Sequence, residues 1–259
     1  MIAALASEWL KLRRARLLWI TLLAATVGTV VGGLFMYISI NPERARNLGL
    51  LGAKAQLATL PPTWDGFLGL LAQIAAVGGA LIFGMTMVWI FGREFADHTA
   101  KDLLALPTAR GVIAAAKFMT AAAWCGVLTA YIGVLGLCIG AGLGLPGVTA
   151  GTLGRGLGQL AVAALLTTAV TTTFGLAASV GRGYLPGVGA LFAAVFTAQV
   201  IAALGYGPWY PYSVPPLYAG IAGPESPGPG PFGFTSVAVL AIASVAATIT
   251  WWRRADHNT

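Results

Sequence analysis

Six long apolar stretches, each free of charged residues, constrain this chain more than any other feature. They cover roughly residues 17–40, 66–92, 118–145, 157–181, 186–205 and 233–252. A helix needs about 20 apolar residues to cross the hydrocarbon core of a bilayer, and each stretch reaches that length. A segment inside the core must also pair its own backbone groups, and these stretches are too long and too continuously apolar to be barrel strands. We therefore predict an all-α integral membrane protein with six transmembrane helices.

The composition extends this prediction to the whole chain. Hydrophobic residues make up 58% of the 259 positions, charged residues make up 9%, and the mean hydropathy is +0.82. Soluble domains are about half apolar and about a quarter charged, so residues 1–259 are interpreted as a single transmembrane domain. The first apolar stretch is too long for a cleavable signal peptide, and no Ala-x-Ala-like site follows it, so we expect it to remain as an anchor.

The distribution of basic residues predicts which side of the membrane each terminus faces. If the N-terminus is cytoplasmic, eleven basic residues fall on the inner face: Lys11, Arg13, Arg14, Arg16, Arg93, Lys101, Arg110, Lys117, Arg182, Arg253 and Arg254. Four then fall on the outer face: Arg44, Arg46, Lys54 and Arg155. Because inner loops carry the excess of Lys and Arg, both termini are expected in the cytoplasm. The net charge of +7 is thus a topology signal, and no nucleic-acid partner is expected.

The N-terminal segment, residues 2–16, has the periodicity of an amphipathic helix. One stripe is apolar (Ile2, Leu5, Ala6, Trp9 and Leu12), and the other is polar (Ser7, Glu8, Lys11 and Arg14). The headgroup region of an anionic inner leaflet suits Trp9 and a basic cluster made of Lys11, Arg13, Arg14 and Arg16. We expect a helix along this leaflet, with Trp9 and Leu12 buried and the basic side chains facing phosphates. A simple stop-transfer cluster of charges is the alternative.

The segment 93–117, between the second and third spans, concentrates seven of the chain's 15 basic and 8 acidic residues. One helical stripe is formed by Phe95, Thr99, Leu103 and Leu106, and the opposite stripe is charged. Because the residue before a proline is driven out of helical geometry, Pro107 ends the pattern, and we predict a short helix from Glu94 to Leu106. Its charged side is interpreted as a docking surface for a partner protein, with a solvated loop as the alternative.

The candidate interface residues of this segment are Glu94, Phe95, Asp97, Thr99, Lys101, Leu103, Leu104, Pro107 and Arg110. Phe95 and Leu103 are expected to act as apolar anchors, because anchors at the centre of an interface usually matter more than charges at its rim. Glu94 is expected to have a mechanical role. The alternative for Glu94 is an ion pair with Arg93, Lys101 or the basic N-terminal segment.

Several kinds of chemistry are missing from the sequence. It contains no Gly-x-x-x-x-Gly-Lys-Ser/Thr phosphate loop, no Gly-x-Ser-x-Gly nucleophile elbow and no His-Glu-x-x-His zinc motif. Both histidines, His98 and His257, fall outside the predicted spans, and neither a catalytic nor a metal-binding residue is assigned. Cys125 and Cys138 fall in one predicted helix about 20 Å apart, which excludes a disulfide between them.

The predicted spans contain no Asp, Glu, Lys, Arg or His. Carriers driven by protons or sodium generally need an ionisable group within the membrane, and so do intramembrane enzymes. If this protein moves a solute, we therefore expect the energy to enter from outside the membrane.

Two motifs carry a resemblance to a known family. The first is Ser7-Glu8-Trp9-Leu10-Lys11-Leu12-Arg13-Arg14, ahead of span one. The second is Gly92-Arg93-Glu94-Phe95, followed by Thr99, Leu103-Leu104-Ala105-Leu106-Pro107 and the run from Arg110 to Lys117. With these motifs and its six spans, the chain resembles the permease subunits of ABC transporters of the type-2 exporter class. It is most similar to the small six-span permeases associated with bacterial antibiotic and lantibiotic self-protection.

The resemblance implies roles for these segments. The N-terminal helix would be the elbow, and residues 93–117 would hold the coupling helix. The chain would be half of a pore in the cytoplasmic membrane of a bacterium, paired with a second copy or a homologous permease. Two separate ATP-binding subunits would carry ATP and Mg, with no cofactor on this chain. Spans one, two and five would line the path, with Gln73 and Gln199 as polar contacts.

The loop between spans five and six often dips back into the membrane in related transporters. Here it covers residues 206–232, and Pro and Gly crowd its second half, so only its first half has room for a re-entrant helix.

The leading hypothesis for function is therefore an ATP-driven exporter permease. The alternative is a membrane scaffold or assembly factor without a transport path, and a catalytic membrane protein lacks the necessary nucleophiles and metal ligands. Uncharged spans, a threonine-rich fourth span (167–173) and aromatic outer edges suit an amphipathic or lipophilic substrate. A neighbouring reading frame with a phosphate loop, or capture of an ATP-binding protein, distinguishes the first hypothesis from the second.

Overall fold

The computed structural model describes residues 1–41, 61–99, 108–223 and 228–254. The regular elements of these residues are helical, in the order α1 (Ile2–Arg14), α2 (Arg16–Ile40), α3 (Trp64–Ala96), α4 (Arg110–Gly142), α5 (Ala150–Val180), α6 (Tyr184–Ala203), two 3₁₀ turns (Gly207–Trp209 and Pro211–Ser213), α7 (Val214–Tyr218) and α8 (Gly230–Arg254). Six of them, α2 to α6 and α8, are long and apolar enough to cross a membrane. The prediction of six membrane-spanning helices is confirmed.

Side-chain caps fix where two of these helices begin. The Thr63 hydroxyl accepts a hydrogen bond from the Gly66 amide at 3.3 Å, and Asp65 lies in the first turn of α3, where the helix dipole favours a negative charge. At the start of α5, the Thr149 hydroxyl accepts from the Thr152 amide at 3.0 Å. Both threonines are local sequence signals for the boundary between a loop and a span.

α3 and α4 are longer than the apolar stretches that predict them. Each contains 33 residues, which corresponds to about 50 Å of helix, whereas the hydrocarbon core is about 30 Å thick. Both extend toward the same end of the bundle, where Glu94 of α3 contacts Lys117 of α4 and where Arg253 of α8 lies beside Gly111. We call this end the basic end.

The predicted helix from Glu94 to Leu106 is wrong at its start. Glu94 and Phe95 belong to the last turn of α3, which ends at Ala96. A turn follows, in which His98 adopts a φ of 58°, and this left-handed conformation terminates a helix. α3 continues past residue 92, although Arg93 and Glu94 are charged, because Glu94 is buried within the protein. Residues 100–107 lie outside the described part of the chain.

Close contact between α3 and α5 builds the centre of the bundle. A Cβ atom added at Gly156 would lie 2.5 Å from the Leu68 side chain, and one at Gly175 would lie 2.9 Å from the Phe91 ring. Such glycines let two helix backbones approach closely in a membrane protein. α3 is correspondingly the most buried span, with its core side chains running from Trp64 to Glu94.

The loop after α6 returns to the bundle instead of crossing its surface. In this returning segment, residues 206–223, Val214 is fully buried, and the Ser213 hydroxyl donates to the Ala198 carbonyl at 3.1 Å. The Tyr212 hydroxyl donates to the Thr173 hydroxyl at 2.9 Å, and its ring stacks on Phe174. The first half of the loop therefore packs among the helices, and its re-entry into the membrane stays an expectation from the family resemblance.

Candidate functional site

Four charged side chains meet at the basic end and form a closed ring. Lys11 Nζ lies 2.8 Å from Glu8 Oε1 and 2.8 Å from Glu94 Oε1. Lys117 Nζ lies 2.9 Å from Glu94 Oε1 and 3.0 Å from Glu8 Oε2. Acid and base alternate around the ring, so each group contacts two groups of opposite charge. We call these four side chains the charge ring.

The charge ring is buried although all four of its members are ionisable. The exposed fraction is 0% for Lys117, 2% for Glu94, 4% for Glu8 and 27% for Lys11. A buried charge is costly unless it is paired and hydrogen-bonded. The ring meets this requirement because two acids and two bases leave no formal net charge, and only Lys11 reaches the surface.

Hydrogen bonds satisfy the remaining polar atoms of the ring. Lys117 has three protons to donate, and its third acceptor is the Ile90 carbonyl at 3.1 Å. The Thr99 hydroxyl donates to Glu94 Oε2 at 2.7 Å, and Thr99 itself is exposed. A single hydroxyl therefore connects the surface turn after α3 to a buried carboxylate.

The break between α1 and α2 positions the first half of the ring. Ala15 is extended (φ −82°, ψ 145°), so the two helices are joined through one non-helical residue. Glu8 and Lys11 are three residues apart and therefore share a face of α1. Glu8 and Leu12 are the buried residues of α1, which packs mainly on α4.

This orientation corrects part of the prediction for the N-terminal segment. The stripe with Glu8 and Lys11 faces the bundle, because Glu8 pairs with a lysine of α4 and Lys11 pairs with a glutamate of α3. Lys11 therefore faces carboxylates instead of phosphates. Trp9 is exposed on the surface of the protein, and its burial in the leaflet stays a prediction. Leu12 is buried against the bundle instead of in the leaflet, and Arg13, Arg14 and Arg16 are exposed.

The carboxylates hold Lys11 in its charged form. Burial lowers the pKa of the Lys11 ammonium, but hydrogen bonds to Glu8 and Glu94 and the charges of these two carboxylates outweigh burial and raise the pKa above its ordinary value. Lys11 therefore stays protonated at neutral pH.

Aromatic side chains enclose the ring on the side of α8. The Trp252 ring centroid lies 6.0 Å from Lys117 Nζ, and the Trp252 indole donates to the Ser179 hydroxyl at 3.1 Å. Phe95 meets Trp251 and Trp252 edge to face, with ring centroids 5.8 and 5.9 Å apart. Phe95 thus packs against α8 of the same chain, and its expected role as an anchor for a partner protein stays a prediction.

The exposed residues beside the ring form the part of the site that another protein can reach. The Arg93 guanidinium lies 4.8 Å above the Trp89 ring centroid, and Arg93 Nε lies 3.7 Å from Asp97 Oδ2. Asp97 and Thr99 are exposed, and half-buried Arg110 begins α4. The remaining candidate interface residues, Lys101, Leu103, Leu104 and Pro107, lie outside the described residues.

The two glutamines predicted to line a path both lie beside the returning segment. Gln73 Nε2 donates to the Gly220 carbonyl at 3.4 Å. Gln199 lines a cavity of about 260 Å³ between α6 and the returning segment. Neither glutamine belongs to the charge ring, and the described residues contain no cluster of His, Cys, Asp and Glu that would hold a metal ion.

Sequence reasoning missed two members of the charge ring, Glu8 and Lys117. Their signals were present: Glu8 stands three residues before a lysine, and Lys117 directly precedes an apolar stretch. The expectation that the spans carry no ionisable residue holds for the predicted stretches but not for the longer helices that form, since α3 includes Glu94 and α4 includes Lys117. Protein atoms, rather than lipid, bury both groups.

Comparison with known proteins agrees with this architecture. The family model described as "ABC-2 family transporter protein" matches residues 4–199. A bacitracin transport permease protein, BCRB of Bacillus licheniformis, is 26% identical over 181 residues, which covers 69% of this chain and 85% of that protein. The matched region of the family model includes all four residues of the charge ring.

Proposed function

Because the chain belongs to the ABC-2 family of transporter proteins, we propose that it is the permease subunit of an ATP-driven exporter. The family implies a partnership with ATP-binding cassette subunits, and a permease is a transport subunit rather than an enzyme. The full sequence has no phosphate loop of its own, so ATP and Mg bind to the separate subunits. The proposal places the basic end in the cytoplasm of a bacterium, because this end carries the excess of Lys and Arg.

The observation that carries the proposal is the hydrogen bond from exposed Thr99 to buried Glu94, at 2.7 Å. A protein that binds the turn at residues 97–99 can move the Thr99 hydroxyl and thereby act on a carboxylate that contacts two lysines. The ATP-binding subunits dock on this turn and on Arg93 and Asp97 beside it. Glu94 then acts through the charge ring rather than by touching the partner.

The substrate class rests on the walls of the bundle and on the relative. The six apolar stretches of the spans contain no charged side chain, and the similar permease is named for transport of bacitracin. The substrate is therefore an amphipathic or lipophilic compound, with peptide antibiotics as the first to test. The path lies between two permeases, because one bundle of uncharged helices provides no obvious aqueous route.

Co-expression with an ATP-binding protein encoded in an adjacent reading frame tests this function. The two chains should purify together, and vesicles that contain both should move the antibiotic only when ATP is present. Replacing the phosphate-loop lysine of the ATP-binding subunit should abolish movement and leave the complex intact. A complex that forms but moves no substrate would favour the scaffold hypothesis instead, and failure to form a complex would contradict both partnership and export.

The role of Glu94 has its own matched comparison. Glu94→Gln removes a charge from the ring, so we expect loss of substrate-stimulated ATP turnover in the complex. Asp65→Asn is the control, because Asp65 is also an acid of α3 but lies in its first turn, at the opposite end. If both variants stimulate ATP turnover equally well, Glu94 has no coupling role.

A further inference from the structure

We propose that α1 (Ile2–Arg14) undocks from the bundle and docks again, and that two positioning residues, Glu8 and Lys117, determine how readily it undocks. We call α1 the latch, and its undocking the opening of the latch. This inference deepens the proposed function, on which its role in transport rests. The latch itself is a property of this chain alone, so it can be tested without a substrate.

The charge ring divides into two halves that are each neutral. Glu8 and Lys11 both belong to α1 and contact each other at 2.8 Å. Glu94 and Lys117 both belong to the bundle and contact each other at 2.9 Å. When α1 leaves, only the contacts between the halves break, and every charge keeps one partner of opposite sign. A single ion pair across the joint would instead leave a lone buried charge, which is strongly destabilising.

The hydrogen bonds on the bundle side also survive when α1 leaves. Lys117 keeps the Ile90 carbonyl, and Glu94 keeps the Thr99 hydroxyl. On the other side of the joint, α1 buries only Leu12 besides Glu8, and Ala15 provides a hinge to α2. Few apolar contacts therefore hold α1 in place, and water already reaches the joint at Lys11, which is 27% exposed.

The link to transport goes through Thr99. Its hydroxyl occupies Glu94 Oε2, while Lys11 and Lys117 share Glu94 Oε1. A partner that withdraws Thr99 frees a carboxylate oxygen for Lys117, which strengthens the bundle half and weakens the hold on α1. The latch thus opens when the ATP-binding subunits bind the turn at residues 97–99 and withdraw Thr99.

Two double variants test the latch because they differ only in which carboxylate is neutralised. Glu8→Gln/Lys11→Met leaves the Lys117–Glu94 pair, which lies wholly on the bundle side. Lys11→Met/Glu94→Gln leaves the Lys117–Glu8 pair, which spans the joint. Each variant removes one acid and one base, and each keeps one ion pair at about the same distance, 2.9 and 3.0 Å.

The readout is the reaction of Leu12→Cys with a water-soluble maleimide, in protein that also carries Cys125→Ala and Cys138→Ala. The Leu12 side chain is buried when α1 is docked, so labelling reports undocking. The variant with its pair on the bundle side should label at least as fast as the parent protein. The variant with its pair across the joint should label at least about fivefold more slowly than the other double variant, because undocking of α1 would leave buried Lys117 without a partner of opposite charge.

Equal labelling of the two double variants would overturn the latch, and so would faster labelling of the variant whose pair spans the joint. The proposal is also overturned if Leu12→Cys in the parent protein shows no labelling within the time in which the same cysteine labels completely in unfolded protein. Should Lys11→Met/Glu94→Gln not fold, a second matched pair replaces it. Glu8→Gln/Lys117→Met keeps the pair across the joint, Lys11–Glu94, and Glu94→Gln/Lys117→Met keeps the pair within α1, Glu8–Lys11; hydrogen exchange of residues 2–14 gives an independent measure.

Transport assays then separate the latch from the proposed function. If the latch opens in every transport cycle, Glu8→Gln/Lys117→Met, which keeps Glu94 and a pair across the joint, loses export. Glu8→Gln/Lys11→Met, which also keeps Glu94 but has its pair on the bundle side, keeps more of it. Labelling that behaves as expected while no chain transports anything would reject the exporter and leave the latch in place. Normal export by the slow-labelling variant would show that opening of α1 is not part of transport and would overturn that part of the proposal.

Discussion

At the scale of single residues, Lys117 has the most unusual position in the molecule. Its ammonium is fully buried, donates to Glu8, Glu94 and Ile90, and faces the Trp252 ring. A lysine is rarely buried to this degree, and here each of its three protons has an acceptor. The stability of this end of the bundle therefore depends on balanced charge rather than on the number of ion pairs.

Lys117→Met should destabilise the protein far more than its loss of contacts suggests. The substitution leaves two buried carboxylates that share one lysine, and an uncompensated buried charge costs about 3–5 kcal/mol. Glu94→Gln/Lys117→Met removes more polar contacts but restores neutrality, so we expect it to recover at least half of the lost stability. Unfolding in detergent, followed by denaturant titration, compares the two. A double variant no more stable than the single variant would contradict the argument from charge balance.

At the scale of helices, the limits of sequence reasoning have a physical cause. The number and positions of the six spans were predictable, because lipid requires long apolar segments. The ends of α3 and α4 were not, since a helix continues past a charge that the protein itself neutralises. Periodicity showed that α1 has two stripes and did not show which stripe meets protein. The polar stripe faces the bundle because its charged residues pair with Glu94 and Lys117, which are far away in the sequence. A local pattern carries no information about such distant partners.

The glycines of α5 provide the test at this scale. Gly175→Ala should destabilise the bundle by about 1–3 kcal/mol, because its new methyl group would press on the fully buried Phe91 ring. Gly158→Ala is the control in the same helix, because nothing lies within 4 Å of a Cβ atom there. Thermal unfolding of the two variants should differ, with the control at or above the parent stability. Equal stability would mean that the contact between α3 and α5 is looser than described.

At the scale of the whole molecule, five basic residues at the basic end divide into two sets with different tasks. Lys11 and Lys117 pair within the charge ring. Arg13, Arg14 and Arg16 are exposed where α1 ends and α2 begins. Of these five residues, the three arginines are the ones that can meet anionic lipid. At about 1 kcal/mol for each charge near an anionic surface, the three arginines contribute about 3 kcal/mol before salt screening.

Replacing Arg13, Arg14 and Arg16 together with glutamine should therefore disturb how the chain inserts. Charges close to a span decide its orientation, so we expect part of the protein to place its N-terminus on the opposite side. Reaction of a cysteine at position 2 with an impermeant reagent in intact cells measures that fraction. Arg155→Gln, at the opposite end of the bundle, should leave the orientation unchanged. Uniform insertion of the triple variant would show that other charges determine the topology.

The unequal lengths of the spans make this protein sensitive to the thickness of its bilayer. α6 has 20 residues and α3 has 33, or about 30 Å against about 50 Å of helix. A thick membrane would stretch past the end of α6 while its longer neighbours still reach both headgroup layers. The strain would fall on the returning segment, which α6 holds through the Ser213–Ala198 hydrogen bond and a contact between Thr197 and Tyr210. In vesicles of graded acyl-chain length, export should therefore fall off toward the longest lipids, and a flat profile would mean that α6 tolerates the mismatch by tilting upright.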